Sequence, residues 1–291
     1  MAVAPPTSHR LDVAVIADAH LGTPQARPRE LADYLASVHP RALVVAGGLL
    51  DLAALRGGSV PDEHLAVVRR LLELARGGTR VYVLTGNHDA ALGRFGDLAL
   101  GNLHVRRDLE LHFDGGRYFF CHGDRLKATV RLGLPTAADA PLRRLAAWVD
   151  GRRRGVLRAL GRPSPSLARG LRVGGDGAAL RLARYRAAAA RLAAERGCDT
   201  VVCAHVQRPE VSTVALPDLR DPVRYLNPGD WVAHLTALEY RWGEWRLRRY
   251  DVDDAPPRSE RLRATAPPHE RGKVESLLER IVASGPTARM R

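Results

Sequence analysis

The stretch Arg80-Val81-Tyr82-Val83-Leu84-Thr85-Gly86-Asn87-His88-Asp89 decides the fold. Its apolar first half predicts a buried strand. The exit from that strand carries an amide oxygen, an imidazole and a carboxylate in succession. In open α/β sheets ligands bind beyond the carboxyl ends of the strands. Upstream, residues 11–17 and 42–46 predict two more buried strands, with helices expected over residues 28–38 and 61–76. Pro61 suits the start of the second helix, Leu65, Val68, Leu72 and Ala75 mark one face, and Gly77-Gly78 stops it. Strand, helix, strand, helix, strand is a parallel βαβ arrangement, which gathers its loops along one edge.

Downstream, residues 109–113 and 117–121 predict a hairpin around Asp114-Gly115-Gly116, closing in His122-Gly123-Asp124. A further buried strand over residues 200–204 runs into His205. Three more strands are expected over residues 210–214, 231–240 and 244–250, with Tyr225-Leu226-Asn227-Pro228-Gly229-Asp230 read as a turn. Between the hairpin and the His205 strand lies an insertion, residues 125–197. It has short amphipathic pieces at 141–149 and 155–160 and a longer helix at 178–196, with Leu182, Tyr185, Ala189 and Leu192 on one face. The organisation expected is an N-terminal extension (1–10), one domain (11–250) carrying the insertion, and a polar tail (251–291) with a short helix near its end.

Composition places the chain among soluble globular proteins, with 45% hydrophobic and 26% charged residues. Three cysteines, none in a Cys-x-x-Cys pair, argue against a disulfide framework or a thiolate zinc site. The N-terminus lacks the apolar core of a signal peptide, and no apolar run is long enough to span a bilayer. A cytoplasmic location is expected, with peripheral contact on the inner face of the cytoplasmic membrane as a variant. The net charge of +13 is carried by the insertion, where 17 Lys+Arg face 4 Asp+Glu. An arginine-rich solvated face explains that excess, and so does a positive cover for a phosphate-bearing or membrane-bound partner.

Collected in order, the strand ends present Asp18 and His20, then Asn87, His88 and Asp89, then His122, then His205. Residues two apart in an extended chain point the same way, so Asp18 and His20 can share one cation. Imidazole, carboxylate and amide oxygen suit manganese, iron or zinc. A pair of such ions about 3.5–4 Å apart would clamp a phosphoryl group. His64, His104 and His112 stand outside these blocks and are expected to pack or face solvent. Cys121 and Cys203 read as small core residues of buried strands.

With these blocks in hand, the chain resembles the calcineurin-like metallophosphoesterases from about Leu11 to Tyr250. The family blocks appear as Asp18-Ala19-His20, Gly47-Gly48-Leu49-Leu50-Asp51, Gly86-Asn87-His88-Asp89, His122-Gly123-Asp124 and Ala204-His205-Val206-Gln207. The resemblance implies an α/β fold, a four-layer αββα sandwich of two mixed β-sheets with an inserted helical lid. It implies Asp18 and His20 on a first metal, and Asn87, His122 and His205 on a second. His88, oriented by Asp89, would stabilise or protonate the leaving oxygen. Two positions depart from the pattern. The bridging aspartate is replaced by Gly48, and the last histidine of the first metal by Gln207.

Two dications about 3.5 Å apart repel by about 19 kcal/mol at an effective dielectric near 20. The bridging carboxylate normally offsets much of this, so a single divalent ion, manganese first among the candidates, is expected rather than two. The insertion, with Tyr225 to Trp231 and Thr236-Ala237-Leu238-Glu239 after it, resembles the narrower group of UDP-2,3-diacylglucosamine diphosphatases. That resemblance implies a lipid-linked nucleotide sugar as partner, with the insertion, including Arg125, Arg152, Arg153 and Arg154, lying over the metal site. Three function classes stand open. They are a metal-dependent phosphoesterase or pyrophosphatase, a non-catalytic phosphosugar-lipid binder on the same scaffold, and a nucleic-acid-binding protein or nuclease. The last ranks lowest, because the arginine cluster has few interleaved aromatics.

Overall fold

The structure, a computed structural model, describes residues 9–51, 54, 60–87, 98–126 and 175–250. The chain divides into two compact units, one of residues 1–124 with 189–291 and the other of residues 125–188.

In the first unit, β1 (His9–Ile16), α1 (Pro28–Ser37), β2 (Val38–Val45), α2 (Asp62–Arg76) and β3 (Arg80–Leu84) follow one another as the hydrophobic periods predict. β1, β2 and β3 pair in parallel, and β5 (Leu103–Arg106) extends them beyond β3. The two-residue β4 (Ala99–Leu100) closes that edge. The hairpin of β11 (Thr236–Arg241) and β12 (Glu244–Arg249) runs antiparallel to β1 on the other side. The seven strands are ordered β12-β11-β1-β2-β3-β5-β4, with β12 at the margin. The second sheet is ordered β6-β7-β8-β10-β9, with β6 (Asp108–Phe113), β7 (Gly116–Cys121), β8 (Thr200–Cys203), β9 (Glu210–Val214) and β10 (Val223–Asn227). Both sheets are mixed, as expected.

Alternation along each strand divides the core. Val13 and Val15, Ala42 and Val44, Leu84, and Leu238 and Tyr240 point toward the second sheet. There they meet Tyr118, Phe120, Val202 and Leu226. Ala14, Ile16, Leu43, Val45, Val81 and Val83 point the other way, onto Leu31 and Leu35 of α1 and Leu65, Leu71 and Leu74 of α2. Strands buried on both faces explain the unbroken apolar runs, each fully buried aliphatic side chain contributing about 1.5–3 kcal/mol. Behind the second sheet, the end of α3 (Gly175–Glu195) buries Ala189, Ala190 and Ala193, and the Arg196 guanidinium lies 4.2 Å over the Phe119 ring.

Several boundaries differ from the sequence reading. β2 begins at Val38, four residues earlier than expected, because His39 and Pro40 pair with Arg10 and Leu11 of β1. Pro40 is tolerated there because the ladder with β3 starts only at Ala42. Residues 225–227, read as part of a turn, form the end of β10 between β8 and β9. Residues 231–234 are a turn, and the strand starts only at Thr236. The expected helices at 141–149, 155–160 and 274–282 lie outside the described residues. No helix among the described residues is long and apolar enough to cross a membrane.

Candidate metal centre

Five strand ends supply the residues singled out above. β1 runs out into Asp18 and His20, β2 into Gly47 and Gly48, β3 into Gly86 and Asn87, β7 into His122, and β8 into His205 and Gln207. The backbone there is tightly folded, with φ of 51° at Asp18, 46° at His20, 65° at His205 and 51° at Gln207. Seven non-glycine residues have positive φ among the described residues, and these are four of them. Each such residue costs about 1–2 kcal/mol. Such conformations cluster at active sites and ligand clamps, which makes this rim the candidate site.

His122 sits at the middle, 2% exposed. Its Nδ1–H donates to the Ala46 carbonyl at 3.0 Å, which leaves a lone pair on Nε2. Nε2 stands 3.1 Å from Asn87 Oδ1 and 3.2 Å from His205 Nδ1, with the two imidazoles edge to face and their centroids 5.0 Å apart. Two imidazole nitrogens and an amide oxygen at this spacing are a donor set that fits a divalent ion. Glycines make room for the His122 ring. A Cβ on Gly47 would lie 2.5 Å from its Nδ1, and one on Gly86 2.6 Å from its Cδ2.

The second group lies beside the first. Asp18, 2% exposed, accepts the His205 backbone N–H through Oδ2 at 3.1 Å, and its Oδ1 is 3.4 Å from His20 Nε2. The Gln207 amide donates to His20 Nε2 at 3.1 Å. Gly48 has φ 65°, and a Cβ there would be 2.6 Å from Asp18 Oδ1 and 3.0 Å from Asp18 Cα. Asp51, at the end of the same block, accepts the Ala54 N–H at 3.0 Å as a turn cap. Among the described residues no three His, Cys, Asp or Glu side chains gather into one group. The structure thus brings Asp18, His20, Asn87, His122, His205 and Gln207 to one rim, but in two small sets.

His88, Asp89, Arg152, Arg153 and Arg154 lie outside the described residues, and Arg125 belongs to the second unit. The remaining histidines behave as packing or surface residues. His64 Nδ1 accepts the Gly22 N–H at 2.9 Å, His104 stacks on Tyr82 with centroids 5.1 Å apart, and His112 is exposed. Cys121 and Cys203 are buried across paired strands, with their sulfurs 3.7 Å apart.

Two supports escaped the sequence reading. Asn227, fully buried, donates to the Tyr225 hydroxyl at 3.2 Å and accepts the Gly229 N–H at 2.9 Å, which shapes the turn after β10. Asp230, 1% exposed, accepts the N–H groups of Val232 and His234 at 2.9 and 3.3 Å and pairs with the His234 imidazole. The adjoining Trp231 N–H reaches the Asp18 carbonyl at 3.3 Å. An aspartate capping its own turn is the signal that could have found this loop.

Burial pushes the Asp230 carboxyl upward, but hydrogen bonds from Ala233, His234 and Val232 outweigh it and hold it below the usual carboxylate range. Its contribution to stability is therefore full above the unfolded value near ~3.9 and is lost as pH falls through the lower folded value. Asp230→Asn is expected to cost about 1–2 kcal/mol at neutral pH and to flatten the acid limb of the stability curve. Urea midpoints measured from neutral pH downward check this, and an unchanged acid limb would refute it.

The model of the calcineurin-like phosphoesterase family matches residues 11–209. No curated protein sequence matches the chain. Among solved structures, an archaeal phosphodiesterase is similar at 12% identity, covering 81% of this chain and 98% of that one, with a TM-score of 0.37. Vacuolar protein sorting 29 from Cryptosporidium parvum matches at 12% identity over 81% and 95% of the two chains, with a TM-score of 0.35. The zinc complex of Vps29 from Entamoeba histolytica matches at 14% identity over 81% and 97%, with a TM-score of 0.35.

Proposed function

The chain belongs to the calcineurin-like phosphoesterase family, and from that premise we propose that it hydrolyses a phosphoric ester or anhydride with one divalent ion held by Asn87, His122 and His205. The observation that carries this reading is that His122 Nε2 has Asn87 Oδ1 at 3.1 Å and His205 Nδ1 at 3.2 Å. When bound, such an ion polarises a phosphoryl oxygen as a Lewis acid. The chain's own groups prepare the site. The Ala46 carbonyl fixes the His122 tautomer, and Asp18 anchors the backbone of His205. By the family resemblance, His88 together with Asp89 would supply the proton for the leaving oxygen.

Nitrogen and neutral oxygen donors suit manganese among several metals. For the substrate, the finer reading is a lipid-linked nucleotide sugar of the UDP-2,3-diacylglucosamine kind. The arginine excess of residues 125–197, with Arg125, Arg152, Arg153 and Arg154, would meet its phosphates at the membrane surface.

The test combines metal analysis of the purified protein with turnover of bis(p-nitrophenyl) phosphate and of UDP-2,3-diacylglucosamine. We expect about one ion per chain and manganese-stimulated turnover that a chelator abolishes. Two ions per chain would overturn the single-metal reading. Folded protein that turns over neither compound with any divalent metal would overturn the catalytic one. A second reading, a non-catalytic phosphosugar-lipid binder, is favoured by Gly48 and Gln207 at the expected ligand positions. Tight binding of the same lipid without hydrolysis would establish it.

A further inference from the structure

At the other end of the first sheet, a cavity of about 760 Å³ opens among Arg10 and Asp12 of β1, His39 and Arg41 of β2, and Arg241 and Trp242 of the β11–β12 hairpin. β1 runs extended from Arg10 to Ile16, six residue steps or about 20 Å at 3.3 Å per residue, and Asp18 follows beyond its far end, so this cavity is remote from the candidate metal centre. Its volume is that of a small-molecule site.

The lining is positively charged. Three guanidinium groups face one carboxylate, Asp12, whose pairing with Arg41 at 3.7 Å is between exposed side chains and worth little. The carboxyl end of α2 at Gly77 and Gly78 adds about half a negative charge, which leaves the balance clearly cationic. Arginine forks of this kind match phosphate oxygens.

Trp242 is the second observation. It occupies the first central position of a two-residue hairpin turn closed by Arg241 and Glu244, with φ 54°, followed by Gly243 at 79°. Asparagine and glycine are the residues favoured in such a turn, and a bulky side chain at positive φ is a genuine outlier. The indole is nevertheless there, 75% exposed. The Arg241 guanidinium covers one ring face at 3.8 Å, which leaves the other open to a second planar group.

We infer that this cavity binds a nucleotide, its base stacked on the open face of Trp242 and its phosphates held by Arg10 and Arg41. The ligand is a free nucleotide or one unit of a single strand, since both offer the same ring and phosphate. The inference does not depend on the proposed catalysis.

Binding of α,β-methylene-ADP and of an oligo(A) hexamer, followed by calorimetry on chelator-treated full chain, tests it. Trp242→Ala is expected to weaken binding about 10-fold and Arg10→Gln with Arg41→Gln by at least as much, while turnover at the metal centre stays unchanged. The affinity should be the same in His122→Ala, which separates this cavity from the other end of the sheet. A hexamer bound at least 10-fold more tightly than the nucleotide assigns the strand, and equal affinity assigns the free nucleotide. Inorganic pyrophosphate binding as tightly as the nucleotide, or an affinity untouched by Trp242→Ala, overturns the inference. So does the absence of binding at millimolar nucleotide.

Discussion

His122→Ala is expected to lower metal-dependent phosphodiester turnover at least about 100-fold, because removing even a group behind a ligand typically costs 10- to 100-fold. His122 touches both other members of its group, Asn87 and His205. Its loss also leaves the Ala46 carbonyl without its buried donor and opens a hole between Gly47 and Gly86. A fall in stability of about 1–3 kcal/mol should accompany the kinetic effect. The two are separable by measuring bound metal and turnover well below the melting temperature of the variant. Retained metal with retained turnover would remove His122 from the centre and with it the proposed ligand set.

The second large effect concerns the position where the family pattern has an aspartate. Gly48→Asp does not simply restore a bridging ligand. The new Cβ would stand 2.6 Å from Asp18 Oδ1, on a backbone with φ 65°. Left-handed strain of about 1–2 kcal/mol and a crowding term of about 1–3 kcal/mol add to a destabilisation of about 3 kcal/mol. For a chain of this size that is a fall of about 6–12 °C in Tm. No second metal ion is expected per chain. Gln207→His is the informative contrast, because position 207 is exposed and already touches His20. It should fold normally. A Gly48→Asp variant that keeps its Tm and binds two ions would show that this loop readily adopts another conformation.

The contrast between Gly48 and His122 shows what sequence can and cannot display. The strand ends were legible because β1 and β3 are buried on both faces, so their apolar runs give way within a residue or two to polar ligand types, while β2 gives way to glycines. Residue type and order then pointed to Asp18, His20, Asn87, His122 and His205 as one rim. The supports were not legible. The Ala46 carbonyl that orients His122 is a backbone atom, and the clearance at Gly47 and Gly86 is the absence of one. β10 was obscured for another reason. Tyr225-Leu226-Asn227 abuts Pro228-Gly229, whose turn signal dominates locally, whereas partners on both sides make it a strand. Pro40 likewise masked the start of β2, since the one-sided ladder that admits it is a property of the sheet.

The margin strand β12 has its own consequence. It carries Arg246, Arg248 and Arg249, all exposed, beside Leu247 at 39% exposure. A bare strand edge would recruit a neighbouring molecule through its unpaired amides and carbonyls. Two copies docking edge to edge here would bring the arginines of both strands near one another, with Arg246 compensated by Glu244 of its own strand. Excess charge of one sign along that border disfavours such edge-to-edge pairing.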